Sequence, residues 1–248
     1  MRASEKASRG PLPALAQKGD GFFVVNADGN RFNGLVLEVK ADTVVIDLNI
    51  RPGLGFERDA ERERVERGLA IAQEHLHFVH GGFETPLPDG LAERANVIRA
   101  FNVLRQYDES AVAEAWSRMQ SRLTDDGLLI EGTCDEIGRL STWITLDKRE
   151  PLNLTISMRL SGLDLPSKVA ERLPKALIHH NLPGERIHEF LQALDSAWRT
   201  NAGLGAFGAA QRWVASCEQL VSSSWPLIGD KKRWRLGELT IEWAAVAP

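Results

Sequence analysis

Cysteine is nearly missing from this sequence: Cys134 and Cys217 are the only two in 248 residues. Two thiols so far apart make no disulfide scaffold, and neither has a second cysteine at zinc-ligand spacing. Long apolar runs are missing too, so no segment reads as a membrane span. A net charge of −4 leaves no global basic field to draw in nucleic acid. The N-terminal stretch MRASEKASRGPLPALAQKGDG has basic residues but no continuous apolar core, so it does not read as a secretory signal. Residues 1–20 read instead as a flexible arm punctuated by Pro and Gly. No internal repeat and no low-complexity segment is visible. These absences leave a cytoplasmic globular protein without membrane attachment as the default, with homo-oligomer formation left open.

What is present suits a chain that buries a core: 43% of residues are hydrophobic and 26% charged. The densest charge runs are GDKKRWRLG (229–237), mildly basic, and ERERVERG (61–68), of mixed sign. The second reads as a solvated helix face. At this length one domain over residues 21–248 is the expectation.

Strands are expected at GFFVV (21–25), before the turn NADGN, and at LVLEV (35–39) and TVVIDLNI (43–50). Asp59 can cap a helix over 60–74, with Val65, Leu69 and Ala72 on one face. LHFVHGGFE (76–84) and ANVIRAFNVL (95–104) read as further strands. Asp108 or Ser110 can cap a helix whose stripe is Val112, Ala115, Trp116, Met119 and Leu123; it stops at the turn TDDG, and the strand LLIEG follows. Short apolar strands separated by amphipathic helices favour buried parallel strands in an α/β layered fold. The last third differs. TWITL (142–146) and LNLTISMRL (152–160) alternate and predict a hairpin. A helix over 186–198 has Ile187, Phe190, Leu191, Leu194 and Trp198 on one face. A helix over 208–223 has Ala210, Val214, Cys217 and Val221. RWRLGELTIEWAAV (233–246) reads as a closing strand with Leu239, Ile241 and Trp243 on one side.

In an open parallel sheet, ligands bind outside the carboxyl ends of the strands. Such ends are LGFERD (54–59), FVHGGFE (78–84), RAFNVLRQYDE (99–109) and IEGTCDE (130–136). Glu57 or Asp59 is placed to accept hydrogen bonds from a ribose diol, although an acid before a helix also serves as an N-cap. A Gly-Gly pair lets a flat ring approach the backbone closely. Asn102 can donate or accept at the rim. Metal binding is not expected: His75 and His77 lie two apart and share a face if extended, with His80 near the strand end, but no cysteine or third coplanar ligand accompanies the pair. His179, His180 and His188 precede a helix, where they face substrate or cap. Cys134 has no local histidine and reads as an inert buried thiol. The Trp residues read as core rather than as base-stacking platforms.

The segments VIRAFNVLRQYDESAVAEAWSRMQSRLTDDGLLIEGTCDEIGRLSTWITLD and PSKVAERLPKALIHHNLPGERIHEFLQALDSAW resemble a bacterial branch of the class I S-adenosylmethionine-dependent methyltransferases. The resemblance runs from about Gly53 to the C-terminus. It implies a doubly wound, mostly parallel, Rossmann-like sheet with an antiparallel C-terminal strand, S-adenosylmethionine as cofactor, and methyl transfer to an unidentified acceptor. Residue by residue, it implies that Glu57 holds the ribose hydroxyls, that Gly82 and Phe83 lie at the adenine-side loop, and that Asn102 lies toward the methionine end. The family's Gly-rich turn, Asp-Leu-Gly-x-Gly, has no counterpart here. Asp28 and Gly29 are its echo by order, and Asp47, Gly53 and Gly55 in VVIDLNIRPGLG are a second candidate. A non-catalytic relative that keeps the fold for binding or assembly is the competing reading. A nicotinamide enzyme would need a Gly-x-Gly-x-x-Gly turn, which is absent. Methyl transfer needs an in-line, dry, oriented site more than a strong base. Asp135, Glu136, Arg105 and Tyr107 are candidates to position the acceptor, each with a structural alternative, and no catalytic residue is assigned.

Overall fold

In a computed structural model of the chain, the residues described are 34–40, 43–49, 76–80, 82–87 and 93–248. They gather into two compact units. The first holds the described residues up to Gln106 with Ala113–Ile130 and Asp147–Arg149. The second holds Tyr107–Val112, Glu131–Leu146 and Glu150–Pro248. The expected arm at 1–20, the strand at 21–25 and the helix at 60–74 lie outside the described residues.

The first unit is built on β1 (Gly34–Lys40), β2 (Thr43–Asn49), β3 (Leu76–His80), β4 (Ala95–Phe101) and the beginning of β5 (Leu123–Cys134), in the order β3-β1-β2-β4-β5. β1 pairs antiparallel with both β2 and β3, whereas β2 and β4 run parallel, with Ile46 opposite Ile98. Val44, Ile46 and Leu48 alternate along β2 and are buried, as are Ala95, Ile98 and Ala100 on β4. Side chains two apart share one face of a strand, so β2 offers a single apolar face to the core.

Helix α1 (Val112–Gln120) buries Val112, Ala115 and Met119, the face its spacing predicts, and pairs Glu114 with Arg118 on the wet side. It ends before the expected turn. β5 begins at Leu123 and runs straight through Thr124-Asp125-Asp126-Gly127. Asp125 and Asp126 point to solvent, and Lys148 Nζ donates to Asp125 at 2.6 Å. A Cβ on Gly127 would lie 2.9 Å from the Ala95 carbonyl, so glycine keeps β5 close to β4. The residues that resemble a turn are thus the solvated opening of a strand.

In the second unit the end of β5 is followed by β6 (Leu140–Leu146), β7 (Pro151–Met158), α2 (Lys175–Ile178), α3 (Arg186–Thr200), α4 (Ala209–Ser222), β8 (Leu227–Ile228), α5 (Lys231–Trp234) and β9 (Glu238–Glu242). The strand order is β5-β6-β7-β9-β8. β6 and β7 form the predicted hairpin, with Ile144 opposite Leu154 and Thr142 opposite Ile156. β9 pairs antiparallel with β7 and β8, so the C-terminal strand has the expected direction. Every described register but β2–β4 is antiparallel. The architecture is mixed α/β, and the mostly parallel pairing expected from the sequence is corrected at these registers. The physical reason is visible in the links. Residues 147–150 alone join β6 to β7, whereas parallel neighbours need a crossover of about a dozen residues or more.

Helices α3 and α4 pack through aromatic rings. Trp198 and Trp213 meet edge to face at 6.3 Å, and the Arg212 guanidinium sits 3.8 Å over the Trp198 ring while Nε donates to the Trp198 carbonyl. α3 buries Ile187, Phe190, Leu191, Leu194 and Trp198, the predicted stripe. The stripe on α4 is turned relative to its prediction: Trp213, Val214, Cys217 and Leu220 are buried, while Val221 is 48% exposed. Burial around Cys217 pushes its thiol pKa up. The expected strand at 233–246 begins only at Glu238. Its first residues form α5, whose N-cap Asp230 accepts a hydrogen bond from the Lys232 N–H at 2.8 Å.

Candidate functional site

The registers place three strand exits of the first unit on one edge. His80, the last residue of β3, lies opposite Gly34, which lies opposite Asn49, the last residue of β2. Leu48 lies opposite Ala100, one residue before the end of β4. The carboxyl ends of β2, β3 and β4 therefore emerge together. The exits of β3 and β4, three strand spacings apart, are separated by about 14 Å.

Both outer exits hold unusual backbone. Residues 82–85 form a turn closed by the Thr85 N–H donating to the Gly82 carbonyl at 3.0 Å. Within it the Gly82 N–H donates to Glu84 Oε1 at 3.0 Å. A Cβ on residue 82 would lie 3.1 Å from Glu84 Oε2, so glycine makes room for the turn's own carboxylate. Thr85 follows at φ 37, fully buried, and its Oγ1 has no hydrogen-bond partner among the described residues. Positive φ is an outlier for a β-branched residue and costs on the order of 1–3 kcal/mol. Asn102, immediately after β4, sits at φ 59 and turns the chain into the 3-10 segment Leu104–Gln106. Asparagine tolerates this conformation better than most residues. Its carbonyl accepts from Gln106 Nε2 at 3.4 Å. Just inside the exit, the Arg99 guanidinium lies 4.2 Å over the Phe101 ring.

Of the predicted cofactor residues, Gly82, Phe83 and Asn102 thus belong to exits on one edge. Asp28, Gly29 and Glu57 lie outside the described residues. Thr85 is the residue the sequence reading passes over. The Glu-Thr-Pro context offered little warning, because a residue before proline is biased toward extended backbone.

The candidates at the end of β5 have architectural partners in the second unit. Gly132 has no room for a side chain: a Cβ there would collide with the Thr142 carbonyl and lie 2.6 Å from the Trp143 Cβ. The Thr133 and Thr142 hydroxyls both donate to the Arg172 carbonyl, and Arg172 Nη1 reaches the Cys134 carbonyl at 3.5 Å. Asp135 closes the link to β6, its carboxylate accepting the Arg139 N–H at 2.6 Å and its own N–H donating to the Leu140 carbonyl. Glu136 is exposed. Cys134 is a half-buried free thiol, less enclosed than expected. Arg105 is exposed and Tyr107 half-buried.

The histidines before α3 pair with neighbouring side chains. Glu109 takes the His179 Nδ1 at 2.7 Å and the His180 Nε2 at 2.8 Å, and His180 Nδ1 lies 3.7 Å from Glu185. The hydrogen bond from His180, seconded by that from His179, holds the Glu109 carboxyl below its usual range while partial burial pushes the other way. His188 Nδ1 pairs with the Asn181 amide oxygen at 3.1 Å. Among the described residues no group of histidine, cysteine and carboxylate side chains is arranged to hold a metal ion. No helix among them is long and apolar enough to cross a membrane.

Compared with known proteins, the chain matches no family model, no curated protein and no solved structure.

Proposed function

We propose that the first unit binds S-adenosylmethionine at the carboxyl edge of β2, β3 and β4 and that the protein is a methyltransferase acting on an unidentified acceptor. One observation carries this reading: β2 lies parallel to β4 with the exits of β2, β3 and β4 on a common edge. In a doubly wound sheet the first strand neighbours the fourth, and the ligand crevice opens outside those carboxyl ends.

The groups at the edge suit an adenosyl ligand. The half-buried Phe83 offers an aromatic face, Glu84 an exposed carboxylate, Thr85 a buried hydroxyl and Asn102 an amide. The cofactor would supply a methyl group already activated on sulfur. The chain's part is then to hold the adenosyl group, orient the acceptor in line and keep water out. Glu57 is the residue proposed for the ribose hydroxyls.

Isothermal titration with S-adenosylmethionine and S-adenosylhomocysteine tests this, with Glu57→Ala alongside. Saturable binding weakened at least about tenfold by the substitution is the expected result. A folded protein that binds neither compound returns the chain to the second reading, a non-catalytic binding or assembly module. That reading has its own support: the sequence lacks the Gly-rich turn, and the Gly82 N–H is engaged by Glu84.

A further inference from the structure

We propose a second, separate ligand site in the second unit: a pocket for a small phosphate-bearing anion, lined by Arg139, Arg159 and Lys168. These side chains border one cavity of about 270 Å³ together with Asp135, Ser161 and Gly162. They come from three pieces of chain: the β5–β6 connection, the segment leaving β7, and the 3-10 segment Pro166–Arg172.

The walls are tied down by the backbone. The Arg159 N–H donates to the Arg139 carbonyl at 2.8 Å, which locks the two arginine-bearing segments together. The 3-10 segment is pinned at Ser167, whose N–H and hydroxyl donate to the buried Asp195 carboxylate at 2.8 and 2.7 Å. None of Arg139, Arg159 and Lys168 is engaged by a carboxylate among the described residues, and all three are exposed. Elsewhere in this unit Lys231 pairs with Glu218 and Arg233 with Glu238, whereas the exposed Lys232 and Arg235, which do not border this cavity, have no carboxylate partner among the described residues.

Three like charges around one cavity repel each other, and an anion placed among them relieves that repulsion. Guanidinium forks and an ammonium are the donor set that recognises phosphate. The one carboxylate in the lining, Asp135, already accepts the Arg139 N–H. It gives the pocket a single negative wall, which suits a compact ligand carrying a hydroxyl beside its phosphate and opposes a continuous nucleic-acid backbone. The volume sits at the small end of ligand pockets, and the chain's net charge of −4 points the same way.

The experiment is calorimetric titration of the full chain with inorganic phosphate and with pyrophosphate at fixed ionic strength. A single-stranded oligonucleotide is titrated in parallel. Arg159→Gln combined with Lys168→Gln is compared with Arg235→Gln, an exposed arginine outside the lining. Circular dichroism confirms that each variant is folded. The expected result is saturable pyrophosphate binding that weakens at least about tenfold in the double variant and less than about twofold in Arg235→Gln. Absence of saturable binding to either phosphate compound overturns the proposal. So does equal weakening in the control, or preferential binding of the oligonucleotide. The readout does not involve S-adenosylmethionine, so it stands apart from the outcome at the first unit.

Discussion

The turn after β3 in the first unit and the helix-and-hairpin core of the second treat their buried hydroxyls differently. In the second, the Asp195 carboxylate and the Thr133 and Thr142 hydroxyls are joined to the architecture, although Arg172 Nε and the Trp213 and Trp234 indole nitrogens have no hydrogen-bond partner among the described residues. Asp195 holds Ser167, the Thr133 and Thr142 hydroxyls hold the Arg172 carbonyl, and the Trp198 indole donates to the Asp164 carbonyl at 2.8 Å. In the first, the turn after β3 buries the Thr85 hydroxyl without a partner among the described residues and holds that residue at positive φ; Asn102 repeats the positive φ after β4, and Ser224 is the one non-glycine residue of the second unit's described residues that shares it. Unsatisfied groups and strained backbone cost stability, and they cluster where a ligand is bound. The two strained residues at the strand exits make that edge of the first unit the place to test for ligand binding.

Four substitutions can break or sharpen that contrast. Trp198→Ala removes a fully buried ring, its stacked guanidinium and its edge-to-face partner. It is expected to cost about 3–5 kcal/mol in urea unfolding, with little effect on ligand affinity in whatever fraction remains folded. Asn102→Ala forces an ordinary residue to φ 59 and should cost about 1–2 kcal/mol. Asn102→Gly keeps the backbone conformation, so it should remain as stable as the parent in urea while losing affinity for S-adenosylmethionine. If both Asn102 variants bind normally, the side chain belongs to the turn alone. Thr85→Val replaces an unpaired buried hydroxyl by a methyl group of similar size. It should leave stability unchanged or raise it by about 1 kcal/mol, while weakening cofactor binding. A loss of stability there would mean that the hydroxyl already serves the fold.

The smallest effect concerns Glu109. Its folded carboxyl titrates below the ordinary glutamate value because of His180 and then His179. The stability it contributes is therefore present above the unfolded value, near pH 4.5, and is lost as pH falls through the lower folded value. Its side chain is 35% exposed, so solvent screening limits the contribution to less than about 1 kcal/mol. Urea midpoints of the parent and Glu109→Gln should differ slightly at pH 7 and converge in acid. A difference that grows on acidification would reverse the sign.

Much of the second unit was legible from periodicity. The β6–β7 hairpin and the buried face of α3 follow from alternation at two residues and recurrence at three and four. α4 was read one face off because Ala210, Val214, Cys217 and Val221 also recur at helical spacing. The larger apolar area of Trp213 and Leu220 decides which face is buried. The opening of β5 was hidden by Asp125, Asp126 and Gly127, which resemble a turn until the close approach of the Ala95 carbonyl to Gly127 is seen. Strand direction was the least legible property, because it depends on which segments meet across the chain and on link length. At the candidate site, the positions of Gly82, Phe83 and Asn102 after strands could be read in the sequence. The internal use of Gly82 by Glu84 and the buried hydroxyl of Thr85 could not, since both arise from turn geometry.

The central claim is that the strand exits of the first unit form the cofactor site. Ultraviolet cross-linking of the protein to radiolabelled S-adenosylmethionine, followed by peptide mapping, tests it most directly. The account predicts label on peptides containing Phe83 or Asn102, competed away by S-adenosylhomocysteine. Label confined to peptides of the second unit, or a folded protein that takes up none, would contradict it.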